Sequence, residues 1–186
     1  MSDLRAGREA LIREHMESEN RHEFDVTMGT FAHPRYEIVP TGEIHDGEEA
    51  VAQYFNDSRT AFPDQRNELI ALHHSDDAVI VEFWLMGTHR GPLGAIPATG
   101  NRFRVRMTAF FVFDTDERLV CERVYFDSLS MLRQLVGGID AKNPRNWLLL
   151  ARAVRGLLSM SPSEPDRRLT ETTPPVFPGY RPRGSA

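Results

Sequence analysis

The stretch FRVRMTAFFVFDTDERLVCERVYF, residues 103–126, decides the fold that this sequence predicts. Apolar and polar residues alternate along both of its halves, with the period of two that is typical of β-strands. The acidic segment from Asp114 to Glu117 separates the halves and has the composition of a tight turn. The stretch therefore predicts an antiparallel hairpin with strands at residues 103–113 and 119–126.

The segments before and after this hairpin predict helices and further strands. The helices are predicted at residues 4–15, 24–31, 51–62 and 129–136, and the strands at residues 36–39, 69–73 and 78–88. Asp46 with Glu49 is a capping-box pattern and predicts the start of the third helix. Helices first and antiparallel strands afterwards predict an α+β domain.

The chain is expected to contain one domain followed by two additions. Residues 1–140 form the predicted domain, residues 141–160 an amphipathic helix and residues 161–186 a Pro-rich disordered tail. Asn143 and Pro144 predict the start of the added helix. This helix is expected to dock on its own domain or on a partner subunit; the alternative is a helix that lies on a membrane surface.

The composition excludes several classes of protein. The 186 residues carry a formal net charge of -5, and the pI is about 5.8, so no basic surface for nucleic acid is expected. The single cysteine, Cys121, has no partner for a disulfide within the chain. No apolar stretch has the length of a membrane-spanning helix or the form of a secretory signal. These features predict a cytoplasmic protein without integral membrane association.

Three segments carry a family likeness: FAHPRY at residues 31–36, GTHRG at residues 87–91 leading to IPATG at residues 96–100, and ERVYFD at residues 122–127 leading to LRQL at residues 132–135. On these segments the chain resembles SnoaL-like polyketide cyclases, in the nuclear transport factor two-like or ketosteroid isomerase-like superfamily. The resemblance implies a cone-shaped, curved antiparallel sheet wrapped around the N-terminal helices, with an apolar ligand cavity inside. It also implies a homodimer made through the outer face of the sheet.

Two residues are predicted to be catalytic. The resemblance implies that Asp127, after the last long strand, transfers protons, and burial in an apolar cavity would raise its pKa for that task. The alternative is that Asp127 only caps the following helix. His89 ends a strand next to the Gly- and Pro-rich loop, and its near-neutral pKa suits a hydrogen bond to substrate. Alternatively, His89 is merely exposed.

Seven residues are predicted to contact substrate: Tyr36, Tyr54, Phe62, Trp84, Thr108, Arg123 and Tyr125. The first three are aromatic residues of the predicted pocket walls, for which plain core packing is the alternative. The others follow from strand periodicity, because residues two apart share a face. On the same argument, Glu82 near Arg106 or Arg123 is either a structural ion pair or a second catalytic carboxylate.

No metal or cofactor is predicted. His73 and His74 are ligand-type residues, but adjacent histidines of a strand point to opposite faces. The sequence contains neither a phosphate-binding glycine loop nor a serine nucleophile elbow.

The predicted function is a cyclase or isomerase that moves protons on a small, apolar, polyketide-like carbonyl compound without a cofactor. The alternative from another class is a non-catalytic module for ligand binding or dimerisation. Epoxide hydrolysis is a further alternative. The resemblance would require an arginine on the strand at residues 79–86 for that reaction, and this strand has none.

Overall fold

The computed structural model describes residues 2–159, with side chains from residue 3 to residue 156. Within this range the helices are α1 Ser2–Arg21, α2 Phe24–Gly29, α3 Glu48–Ala61, α4 Ser128–Gly137 and α5 Trp147–Ser159. The strands are β1 Arg35–Ile38, β2 Glu43–Asp46, β3 Arg66–His74, β4 Ala78–Thr88, β5 Arg102–Phe113 and β6 Leu119–Phe126. The tail predicted at residues 161–186 lies outside the described residues.

The strands form one curved sheet of six strands in the order β2-β1-β6-β5-β4-β3. All neighbouring strands are antiparallel except β1 and β6, which are parallel. The predicted α+β class is confirmed, and the quoted stretch forms the β5–β6 hairpin at the centre of the sheet.

The hydrophobic core lies between the helices and one face of the sheet. Along β5, buried and more exposed residues alternate, and the buried set runs from Phe103 through Phe111 to Phe113. Ile12 of α1 and Phe55 of α3 cover this inner face and belong to the same core. The other face of β5 carries mainly polar and charged residues, as the alternation in its sequence requires.

The start of α3 differs from the sequence-based expectation. The N-cap of α3 is Gly47, whose φ of 89° is in the region that favours glycine. Asp46 ends β2 instead, where its carboxylate accepts hydrogen bonds from His33 and Arg35. The strand β2 was not predicted, because four residues with little burial give no clear alternation of apolar and polar positions.

The loop between β4 and β5 is held by α3 and covered by α5. The backbone N–H groups of Arg90 and Gly91 both donate to the Ala61 carbonyl oxygen, at 2.9 Å and 3.2 Å. Ala153 of α5 is buried, and a Cβ on Gly156 would lie 2.9 Å from the Ala95 backbone. The added helix therefore packs on its own chain. None of the helices in residues 2–159 combines the length and the apolar character that a membrane crossing requires.

We expect Gly91→Ala to destabilise the protein by about 1–3 kcal/mol, because a Cβ at this position would overlap the Thr60 carbonyl oxygen. Gly7→Ala is the matched control, since nothing lies within 4 Å of its added Cβ. In the interior of α1 this control should stabilise the protein by roughly 0.5–1 kcal/mol. Chemical denaturation measures both changes. Equal stability of the two variants would contradict the packing described for the loop.

Candidate active site

A cluster of polar side chains is buried between α1 and the inner face of the sheet. His15 and Glu19 come from α1, and Tyr36 and Glu122 are paired residues of β1 and β6. The exposed fractions of His15, Tyr36 and Glu122 are only 0%, 1% and 5%. The His15 ring also meets the Phe111 ring edge-on, with 5.1 Å between centroids. Charged and hydrogen-bonding groups are thus placed in an aromatic, water-excluded interior.

The hydrogen bonds of His15 define the role of each ring nitrogen. Nδ1 lies 2.8 Å from Thr30 Oγ1, whose own hydroxyl proton is donated to the Thr27 carbonyl oxygen at 2.6 Å. Nδ1 must therefore carry a proton and donate to Thr30. Nε2 lies 2.9 Å from the Tyr36 hydroxyl and 3.1 Å from Glu122 Oε2. Nε2 is consequently the nitrogen that exchanges a proton with Glu122.

Glu19 completes the cluster and ties it to β3. Its Oε1 accepts from the Tyr36 hydroxyl at 3.2 Å, and its Oε2 accepts from Asn67 Nδ2 at 2.7 Å. Asn20 forms two hydrogen bonds with the Asn67 backbone, donating to its carbonyl oxygen and accepting from its N–H group. The end of α1 is therefore fixed against the sheet at the point where the cluster lies.

Burial and pairing shift the pKa values of the cluster. Burial by itself lowers the pKa of His15, but the hydrogen bond to Glu122 and the charges of Glu122 and Glu19 outweigh it and raise that pKa above 6.5. Burial raises the pKa of Glu122, and the bond to His15 offsets part of the rise. Burial also raises the pKa of Tyr36 well above 10, so its hydroxyl remains a hydrogen-bond donor. His15 and Glu122 together therefore bind a proton more tightly than the same two side chains would in water.

His15, Glu19 and Glu122 also have the donor types of a metal site. One ligand atom from each lies within 4.8 Å of the other two. A nitrogen and two carboxylate oxygens suit a divalent ion such as Zn²⁺. Hydrogen bonds within the cluster already satisfy these atoms.

Asp127 is exposed and forms the N-cap of α4. Its carboxylate accepts from the backbone N–H and the hydroxyl of Ser130, at 3.0 Å and 2.5 Å. The hydroxyl and then the N–H of Ser130 lower the pKa of Asp127. The expectation that an apolar cavity raises this pKa is wrong, because Asp127 lies in solvent at the helix terminus. The capping alternative is confirmed, and a catalytic role stays a prediction.

His89 is fully buried, so the alternative that it is merely exposed is wrong. Its Nδ1 lies 3.1 Å from Thr99 Oγ1, whereas its buried Nε2 has no hydrogen-bond partner among the described residues. Burial lowers its pKa. The Phe62 ring lies beside it at 5.5 Å between centroids. Phe62 therefore packs at the loop end of the core, next to His89.

The structure does not bring Asp127 and His89 together. His89 pairs with Asn101 at the start of β5, whereas Asp127 follows Phe126, the partner of Met107. Asp127 therefore lies beside residue 106, whereas His89 lies beside residue 101. These two positions on neighbouring parts of the sheet are five residues apart along the chain, a distance of about 17 Å. One substrate carbonyl cannot contact both side chains in this arrangement.

The predicted substrate-contact residues divide between the two faces of the sheet. Tyr36 belongs to the buried cluster, and the Tyr54 ring lies 5.4 Å from the Tyr36 ring. Phe62 lies beside His89, as described above. The strand register places the remaining four residues on the outer face: Trp84, Thr108, Arg123 and Tyr125. These four are therefore separated by the sheet from a site inside the cone. Glu82 pairs with Arg106 on this outer face, as the structural alternative predicted.

Sequence reasoning missed the catalytic potential of His15, Glu19 and Glu122. His15 shares the apolar face of α1 with Leu11 and Ile12, and Glu122 occupies an inward position of β6 two residues before Val124. An ionisable residue at a core position is an informative signal, since it is buried only with a partner. The partners come from separate elements, so the sequence alone could not pair them.

Two grooves of the described residues lie away from the cluster. One groove of about 220 Å³ lies at the start of α1, near Arg8 and Phe113, and another of about 310 Å³ lies along α4, near Leu129 and Val136. Neither groove is lined by His15 or Glu122. The apolar pocket expected inside the cone therefore stays a prediction.

The curved sheet and the helices that cover it match the nuclear transport factor two-like fold. The chain belongs to the SnoaL-like polyketide cyclase family, whose model matches residues 10–135. The predicted family resemblance is thereby confirmed. No protein of curated function matches the chain.

Solved structures show the same fold at low sequence identity. A candidate polyketide cyclase from Xanthomonas campestris pv. campestris is 18% identical, with 71% of this chain and 98% of that chain covered and a TM-score of 0.64. TsrD from Streptomyces laurentii is 24% identical, with coverages of 70% and 96% and a TM-score of 0.61. AclR, a candidate hydroxylase from Streptomyces galilaeus, is 19% identical, with coverages of 70% and 96% and a TM-score of 0.60. At this identity the likeness establishes the fold alone.

We expect the His15–Glu122 pair to make stability depend on pH. A raised His15 pKa means that the pair stabilises the protein fully below pH 6.5, the ordinary His value, and less as pH rises through the folded-state pKa. The raised pKa of Glu122 acts in the same direction. Thermal unfolding between about pH 5 and pH 9 should show wild type losing stability relative to the double variant His15→Gln/Glu122→Gln, which lacks both titrating groups, as pH rises. Parallel curves for the two proteins would contradict a shared proton.

Proposed function

We propose that this SnoaL-like protein is an enzyme that transfers protons on a small, largely apolar carbonyl compound, with His15 and Glu122 as the acid–base pair. The observation that carries the proposal is the 3.1 Å contact between His15 Nε2 and Glu122 Oε2 in a buried, aromatic interior. A buried pair in which both pKa values are raised suits general acid–base catalysis. Asp127 and His89 are not needed for this proposal.

The reaction begins at the carbon next to the substrate carbonyl. In the form that lacks the shared proton, with His15 Nε2 unprotonated and Glu122 ionised, the pair accepts the proton from this carbon; the C–H bond breaks, and its electron pair forms the enolate. The Tyr36 hydroxyl, whose pKa is raised, donates a hydrogen bond to the enolate oxygen. Return of the proton to another carbon gives an isomer. Alternatively, the enolate carbon attacks a second carbonyl carbon, and the new alkoxide takes the proton, which closes a ring.

Thr30 and Glu19 orient this machinery. Thr30 accepts from His15 Nδ1 and so keeps Nε2 directed at Glu122. Glu19 accepts from the Tyr36 hydroxyl and holds that ring in place until an enolate oxygen competes for the proton. Positioned groups of this kind lower the cost of reorganisation during the reaction.

The aromatic surroundings support an apolar, polyketide-like substrate. The rings of Phe31, Phe111 and Tyr54 lie near His15 or Tyr36, with centroid distances between 5.1 Å and 5.4 Å. Flat apolar walls with a few polar groups are typical of sites for small organic molecules. The family includes polyketide cyclases by its name, which agrees with this class of substrate.

A second candidate function is a non-catalytic module, and the complete burial of His15 favours it. His15 has no exposed surface, so a substrate must displace neighbouring side chains to reach it. Tyr54 is the residue best placed to move, because it is only half-buried and its hydroxyl has no hydrogen bond in residues 3–156. If the interior never opens, the cluster is a structural feature of a dimerisation or binding module.

We expect His15→Gln and Glu122→Gln each to reduce deuterium exchange into an aryl ketone, such as 2-tetralone, by roughly 10²- to 10⁴-fold. Exchange is followed by mass spectrometry, with folding checked by circular dichroism. Asp127→Asn is the control, because asparagine also caps helices and should leave exchange unchanged. Added chelator should have no effect on a proton pair.

Other outcomes of this experiment assign the function differently. Loss of exchange in Asp127→Asn alone would restore the role that the sequence predicted for Asp127. Loss on chelation would make His15, Glu19 and Glu122 a metal centre. Binding of 2-tetralone by wild type without any deuterium exchange would favour the non-catalytic module.

A homodimer through the outer face of the sheet is part of the same proposal. Tyr125, on β6, is 41% exposed, and it packs on the ring of Phe110, which lies on the same outer face of β5. Apolar groups on one face of a sheet suit a second copy of that face. Light scattering should give twice the chain mass, and Tyr125→Arg should shift it to the single-chain mass. A monomeric wild type would contradict the homodimer.

A further inference from the structure

Arg59, on the last turn of α3, is a half-buried arginine without a carboxylate partner. Four arginines in residues 3–156 are not exposed, and only Arg59 among them has no carboxylate within 4.0 Å. The other three ion pairs are Arg8 with Glu117, Arg35 with Glu37, and Arg123 with Glu37. A guanidinium withdrawn from water without an anion costs free energy, so this arrangement calls for an explanation.

The hydrogen bonds of Arg59 leave most of its donors unsatisfied. Nη1 is 3.5 Å from Ser58 Oγ and Nη2 is 3.4 Å from the Glu19 carbonyl oxygen, both beyond the usual range of about 2.7–3.2 Å. Nε is buried and has no acceptor among the described residues. The Phe24 ring, 5.2 Å from the guanidinium carbon, supports the side chain from one side. Arg59 is thus held in place but not neutralised.

Arg59 lies next to the proposed active site. Glu19 links the two, because its backbone oxygen faces Arg59 and its carboxylate accepts from Tyr36. The charge of Arg59 also acts on the Tyr54 phenol, opposing the rise in its pKa that burial causes. The guanidinium is therefore close enough to share one ligand with the cluster.

Two further polar groups around Tyr54 lack partners. The Tyr54 hydroxyl makes no hydrogen bond within residues 3–156. His45 stacks on the Tyr54 ring at 4.7 Å between centroids, and its buried Nε2 has no hydrogen-bond partner in the described part of the chain. Its carboxylate neighbour, Glu43, is 3.9 Å away, which is beyond hydrogen-bond distance. Potential donors thus outnumber acceptors beside the cluster.

We propose that Arg59, assisted by the Tyr54 hydroxyl, binds a carboxylate on the substrate, so that the ligand is an apolar ketone with one acidic end. A carboxylate accepts two parallel N–H bonds from a guanidinium, which would satisfy the donors that the protein leaves free. Its charge offsets that of Arg59, and its apolar body then extends toward His15 and Glu122. The proposal deepens the proposed function by naming the substrate class, and it rests on the same interior site.

The carboxylate must bind on the Arg59 side of the site. Glu19 and Glu122 repel an anion, so a carboxylate at the acid–base pair is unfavourable, whereas a neutral carbonyl is not. The site therefore orients the ligand, with the acidic end at Arg59 and the reacting carbonyl at Tyr36.

The first test compares two ligands of equal shape with the full-length protein. Calorimetry should show 1-naphthylacetate binding at least about tenfold more tightly than 1-naphthylacetamide, since only the acid carries a charge. Arg59→Gln should abolish this preference, and Arg59→Lys should retain part of it. Arg66→Gln is the control: Arg66 is exposed on β3, and the variant changes the net charge equally. Equal binding of both ligands by wild type, or binding of neither, would overturn the proposal.

The second test needs no ligand. An arginine whose role is binding need not stabilise the folded protein. Arg59→Met should therefore unfold at the same or a higher denaturant concentration than wild type. A purely structural arginine would give a clear decrease in that concentration, and this result would also overturn the proposal.

These tests separate the carboxylate subsite from catalysis. Binding requires no turnover, so His15→Gln should keep the preference for the acid while it loses deuterium exchange. Loss of the preference in Arg59→Gln with unchanged exchange in His15→Gln would uphold the subsite and reject the proposed acid–base pair. The reverse pattern would reject the subsite alone.

Discussion

The burial of the Glu122 carboxylate on the inner face of the sheet is the constraint on which the structure depends. A carboxylate in an apolar interior must be neutralised or paired. Helix α1 supplies the partner, because His15 reaches Glu122 at 3.1 Å when the helix crosses this face. The hydroxyl of Tyr36, on the adjacent strand, lies 2.9 Å from the same nitrogen, His15 Nε2. The position of α1 on the sheet and the chemistry of the site thus rest on one contact.

This coupling explains why the interior is both well packed and chemically capable. Buried ion pairs contribute little net stability compared with apolar residues of the same size, and breaking one is costly. A pair at the centre of the core therefore suits a functional role better than a purely structural one. The aromatic rings around His15 keep water away, which strengthens each electrostatic interaction there.

The two faces of the sheet differ in composition, because successive residues of a strand point to opposite faces. The inner face carries the core and the polar cluster, and the outer face carries ion pairs such as Glu82 with Arg106. Structural relatives of this fold include candidate cyclases and a candidate hydroxylase. The fold therefore does not identify the reaction, and the interior residues must do so.

The sequence by itself determined the α+β class, the family and the long strands, because strand periodicity and order along the chain are local properties. The limits of β4 and β6 agree with the prediction to the residue, whereas β2, short and exposed, was missed. Only the tertiary structure decided the site. It paired His15 of α1 with Glu122 of β6, 107 residues apart, and it placed Asp127 in solvent at a helix N-cap. Proton exchange between side chains depends on distances across the fold, and no local pattern encodes them.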